Sequence, residues 1–119
     1  MQKMYHRGNC TTCQAIIEET GINDKNVVMQ DIKTEHISLA QLDQMKKMAG
    51  SYEALFSRRA MLYKERGLKD KKLGENDYRD LILEHYTFLK RPVTILGKNI
   101  FIGNEKKSVA ALKAAVDKI

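Results

Sequence analysis

The chain has 119 residues, 43% hydrophobic and 30% charged, with one proline and seven glycines. That balance fits one folded α/β-sized domain and excludes a disordered tail or two independent cores. Lys and Arg exceed Asp and Glu by 6, which favours an anionic partner, but the lysines are spread out and only 7% of residues are aromatic, so no nucleic-acid face is expected.

The opening "MQKMYHRGNC" lacks the apolar core of a secretory signal, and no stretch is long and apolar enough to span a bilayer. A cytoplasmic protein without membrane contact is the expectation. A first strand is read at Gln2 to His6, closed by "RGN" and a loop carrying Cys10. A helix follows, with Cys13, Ile16, Ile17 and Thr20 on one face and Gly21 where a left-handed residue ends it. Asn26 to Ile32 reads as a second strand, making a right-handed parallel βαβ unit.

The middle is helical. Ser38 and Gln41 have capping-box spacing, and Leu39, Leu42, Met45 and Ala49 form one apolar stripe. "SYEALFSRRAMLYKERG" predicts one or two more helices ending at Gly67. Asn76 is placed as the cap of the next, with Tyr78, Leu81, Ile82, His85 and Leu89 on its buried side. A β-hairpin is then expected, Pro92 to Leu96 and Ile100 to Ile102 around "GKN". Asn104 is expected to cap a last helix with Val109, Leu112, Val116 and Ile119 along its seam. The order βαβ, helices, ββα describes one α/β domain over residues 1–119, with a mixed sheet and a helical insertion at about 38–90.

Cys10 and Cys13 form the chain's only C-x-x-C. At a helix N-terminus Cys10 meets unpaired N–H groups and the positive end of the dipole, which favour its thiolate, the attacking form. Cys13, one turn on, is placed to resolve by closing a disulfide. The pair could also be half of a zinc site completed from His6, His36 and His85, but no second metal-ligand pair accompanies it. Two inert thiols on a buried face is a third reading, and it suits Cys13 better than Cys10.

"YHRGNCTTCQ", "LFSRRAMLYKERGL" and "HYTFLKRPVTILGKNIFIGNE" together resemble the arsenate reductase/Spx family of thioredoxin-like proteins, over nearly the whole chain. The resemblance implies a bacterial thioredoxin-like α/β domain with Cys10 as nucleophile. It implies that Arg59 of "FSRRA" and Arg91 of "KRP" hold an oxyanion, and that Pro92 is a cis proline beside the cysteine. No bound cofactor is implied; glutathione with glutaredoxin, or thioredoxin, would supply electrons. Arg58 reads as a solvated or carboxylate-paired neighbour, and His85 as a core histidine.

The sequence departs from the arsenate reductases at three places. A third arginine expected after the hairpin is absent, with Asn104 at or next to its place; Gln14 stands where Arg is common; and the second motif position is a cysteine, as in the Spx branch. These differences argue against arsenate as substrate but leave the thiol chemistry intact. Two functions follow: a thiol oxidoreductase acting on a small oxyanion or thiol substrate, or a regulator that binds the RNA polymerase α-subunit and is switched by a Cys10–Cys13 disulfide.

Overall fold

The computed structural model describes residues 2–119. It divides into two compact units, one formed by 2–35 with 91–119 and the other by 36–90.

In the first unit β1 (Gln2–His6) leads through a short loop into α1 (Thr11–Thr20) and back to β2 (Val28–Asp31). β3 (Val93–Leu96), β4 (Asn99–Ile102) and α5 (Lys106–Val116) close the chain. The sheet order is β2-β1-β3-β4. β2 runs parallel to β1, β3 antiparallel to β1, and β4 antiparallel to β3, giving the mixed sheet expected. α1 forms where it does because Ile16, Ile17 and Thr20 recur at helical spacing, and it stops at Gly21, whose φ of 68° is open to glycine at little cost. Gly21 N–H then donates to the Ile17 carbonyl.

α1 and α5 contribute to one core. Met4 and Leu96 from the sheet, Ile16, Ile17 and Ile22 from α1 and the turn after it, and Leu112 and Val116 from α5 are buried together, with Val27, Met29, Phe101 and Val109 packed against them. Each such side chain contributes about 1.5–3 kcal/mol when fully removed from water.

The second unit holds α2 (Leu39–Ala49), α3 (Met61–Glu65) and α4 (Glu75–Glu84). The capping box at α2 is complete, with the Ser38 hydroxyl accepting from Gln41 N–H and the Gln41 side chain accepting from Ser38 N–H. The centre of this unit is aromatic. Phe56 is fully buried, stacks on Phe88 at 5.5 Å, meets Tyr63 edge-on at 5.9 Å and packs against the tilted ring of Tyr78 at 4.8 Å.

Several expectations are corrected. β2 is shorter than Asn26 to Ile32, because it is an edge strand whose Val28 is 60% exposed. Ile32 nevertheless continues the ladder by donating to the His6 carbonyl. Leu39 leaves the α2 stripe and is half exposed. "SYEALFSRRAMLYKERG" yields only a 3₁₀ turn at Glu53–Leu55 and the five-residue α3, since Phe56 between them is drawn into an isolated antiparallel bridge with Leu89. Gly74 is the cap of α4, with the Asp77 carboxylate accepting from Gly74 N–H, so Asn76 falls inside the first turn. Leu81 and His85 are half-buried, and Leu89 is buried beyond the helix end. The hairpin pairs Leu96 directly with Asn99, so its turn is Gly97–Lys98 and Pro92 precedes the strand. Glu105 stands at the N-cap of α5 in place of Asn104, and Ile119 lies past the helix and is exposed.

Two stability effects follow. Phe56→Ala should cost about 3–5 kcal/mol by emptying the aromatic centre, and Ser38→Ala about 1 kcal/mol by removing the cap. Urea melts followed by circular dichroism check both; a Phe56→Ala midpoint equal to wild type would contradict the packing described.

Candidate functional site

The site is built at the junction of β1 and α1. Residues 7–10 turn tightly: Cys10 N–H donates to the Arg7 carbonyl at 3.1 Å, and Arg7 Nε donates to Asn9 Oδ1 at 3.0 Å. Gln14, one turn into α1, reaches back so that Nε2 donates to the Gly8 carbonyl at 2.6 Å. Gly8 is where Asp31 of β2 comes closest, since a Cβ there would lie 2.5 Å from Asp31 Oδ2. The loop is therefore held from the helix by Gln14 and flanked from the strand by Asp31. Neither contact was foreseen from sequence, where Gln14 stood only as a difference from a common arginine. Its distance of six residues from Gly8 gives no periodic signal.

Cys10 is the N-cap residue of α1, extended at φ −89° and ψ 118°, and half-buried; Cys13 is fully buried. Both are free thiols. Cys10 makes no capping hydrogen bond through its side chain in the thiol form. Burial by itself would raise its pKa, but donors from the Cys13 backbone and thiol, the Thr12 N–H and the Arg91 side chain outweigh it, and the pKa is lowered. Cys13 goes the opposite way. Burial, reinforced by the charge of the neighbouring Cys10, pushes it up to about 11, against a smaller opposing pull from the Arg7 N–H and the Arg91 charge. Two thiols three residues apart are thus shifted in opposite directions, Cys10 toward the thiolate and Cys13 toward the thiol.

Arg91 comes to this site from the segment before β3. Its peptide bond to Pro92 is cis, as the resemblance implied. The guanidinium reaches the Cys10 sulfur, and its Nη1 is buried with no hydrogen-bond partner among the described residues. A buried cationic donor left over beside the Cys10 sulfur is suited to an anion. His6 Nδ1, at the end of β1, is likewise buried without a partner.

The other residues singled out belong to the 36–90 unit. Arg59 is an exposed turn residue of the 36–90 unit. Its neighbour Arg58 pairs with Glu53 at 2.7 Å and donates to the Tyr78 hydroxyl at 3.1 Å, the carboxylate-paired role expected of it. His36 bonds the Leu83 carbonyl, and His85 Nδ1 accepts from Thr87 N–H at 3.0 Å, so both are spent inside the second unit. Among the described residues no group of three His, Cys, Asp or Glu is gathered as a metal site would need, and no helix is long and apolar enough to cross a membrane.

The sequence matches the ArsC family model over residues 5–112. Among solved structures, a Bacteroides fragilis protein related to the ArsC family is similar with a TM-score of 0.77 at 18% identity, over 93% of this chain and 96% of that one. An arsenate reductase from Vibrio cholerae gives 0.71 at 20% identity, over 93% and 98%. An ArsC-related protein from Brucella melitensis gives 0.70 at 20% identity, over 92% of each chain. A search of curated proteins by sequence finds no match. The structural likenesses carry the thioredoxin-like fold, and with a family match spanning the β1–α1 loop, the insertion and the hairpin, the chain belongs to the ArsC family.

Proposed function

We propose that this protein is a thiol–disulfide oxidoreductase in which the Cys10 thiolate is the nucleophile, Cys13 the resolving thiol and Arg91 the anion holder. The observation that carries this reading is the buried, unpartnered Nη1 of Arg91 beside a thiol whose pKa is lowered. Cys10 Sγ attacks the substrate, either a sulfur of a disulfide or the central atom of a small oxyanion, and forms a covalent adduct as the leaving group departs with its electron pair. Once Cys10 is bonded it carries no charge, so one of the causes that raises the Cys13 pKa is gone, while burial, the largest, remains. Cys13 Sγ then attacks Cys10 Sγ, the Cys10–Cys13 disulfide forms, and the substrate leaves reduced by two electrons. A dithiol of the glutaredoxin or thioredoxin class, or two molecules of glutathione, would return those electrons. Arg59 is a second candidate for the anion. Its motif position supports this role.

The regulator reading uses the same pair differently. It draws on the C-x-x-C and on Asn104, which stands about where arsenate reductases have a third arginine. In that case the disulfide would form reversibly without turnover, and the partner would be an RNA polymerase α-subunit.

The pH dependence of alkylation tests the first step. Because Cys10 is lowered, its reaction with iodoacetamide should reach half-maximum below the value of about 8.5 of a free cysteine, and should fall as the pH drops through that lowered pKa. Arg91→Ala should move the half-point upward, and Cys13 should stay unmodified throughout in the folded protein.

Turnover tests the whole. Thiol consumption is measured with arsenate and with a mixed disulfide, using glutathione plus glutaredoxin and, separately, thioredoxin. Cys10→Ser should abolish it; Cys13→Ser should stop it after one adduct, visible by mass spectrometry. Arg91→Ala should lower an oxyanion rate on the order of 10²-fold. Full activity of Cys10→Ser would refute the assignment. No turnover with a disulfide that still forms reversibly would favour the regulator.

A further inference from the structure

One side of the first unit carries a feature the thiol chemistry leaves unused. A groove of about 660 Å³ runs between α1 and α5, walled by Thr11, Thr12, Ile16 and Glu19 on one side and by Lys106, Val109 and Lys113 on the other. The two helices run in the same direction. Lys25, just past the end of α1, donates through Nζ to the Ile119 carbonyl just past the end of α5 at 2.8 Å, so the helix C-termini lie together. Thr11, Thr12 and Lys106 therefore mark the opposite end, and Thr11 is the residue after Cys10. The groove thus begins at the residue next to Cys10 in sequence and runs from there along the helices for about two turns.

Its chemistry is specific. The floor is apolar at Ile16 and Val109, and the α5 rim presents two ammonium groups seven residues apart, a spacing of about 10 Å along a helix at 1.5 Å per residue. In an extended polyproline-like chain, residues three apart point the same way and are about 9 Å apart, so two acidic side chains at that spacing match the two lysines. Glu19 on the facing wall repels acids there and suits a basic or amide group on the other side of the same chain. Lys113 is shared with Asp117 at 3.5 Å, in an exposed pair that is easily exchanged.

We infer that the α1–α5 groove seats an extended acidic peptide segment next to the reacting cysteine of a protein substrate. This rests on the proposed thiol–disulfide exchange and names its substrate class as proteins whose cysteine is followed by acidic residues. The step is an exchange: Cys10 Sγ attacks the peptide sulfur, the peptide's disulfide breaks, a peptide–Cys10 disulfide forms, and the former partner leaves as thiolate.

The test uses peptides whose cysteine carries a 2-thiopyridyl disulfide, so that attack by Cys10 releases 2-thiopyridone and is read optically. Three peptides differ only at two positions three residues apart, occupied by Asp, Asn or Lys. The wild type should react at least about ten times faster with the Asp than with the Lys peptide at low salt, with the gap closing as salt rises. K106E/K113E should invert the order, and since both positions are exposed its melting curve should match wild type. The neutral bis(2-hydroxyethyl) disulfide should react equally with both proteins. If it reacts while the three peptides show no preference, the groove assignment falls and the proposed function stands. If it does not react with Cys10 at all, both fall. Oxidised glutathione outpacing every peptide, through the same two lysines, would replace the peptide by a small molecule and overturn the proposal.

Discussion

The structure depends on how one sulfur is surrounded. Cys10 closes β1's loop and opens α1, so the same residue ends a strand connection, occupies a helix N-cap position and is approached by Arg91 from a segment 81 positions away in sequence. Each neighbour has a structural reason for being there. The Thr12 and Cys13 N–H groups are the unpaired donors of any helix start, and Arg91 is carried in by the antiparallel pairing of β3 with β1. The fold therefore makes a thiolate-favouring environment from ordinary parts, and a charge at Sγ answers donors that would otherwise be buried at a cost.

The asymmetry between the two thiols follows from geometry more than from their surroundings' composition. Three residues of helix turn Cys13 to the buried side of α1, where it is fully buried, while Cys10 stays half-buried at the helix start. Burial raises one pKa and helix-start donors lower the other, and the closeness of the pair couples them. The loop that carries Cys10 has little freedom of its own, because Gln14 fixes the Gly8 carbonyl and Asp31 fills the space beside it.

What was legible in the sequence was local. β1, α1 with its Gly21 stop, the Ser38–Gln41 box and the hairpin each depend on contacts within a few residues, and all appear. The C-x-x-C at a helix start is equally local. The misread elements had two causes: Phe56 leaves helical geometry to pair with Leu89, 33 residues on, whereas the start of α4 turns on a local choice, the Asp77 carboxylate accepting from Gly74 N–H three residues back. The approach of Arg91 to Cys10 and the cis bond before Pro92 were available only through family resemblance, since neither leaves a periodic trace. The Gln14 clamp left no trace at all.

The complete burial of Cys13 has a consequence for the bookkeeping of mixed species. A bulky partner can be joined to this protein through one sulfur only, so the two isomeric linkages that a C-x-x-C pair could in principle give reduce to one. A bulky thiol reagent should therefore count one thiol under native conditions and two after denaturation.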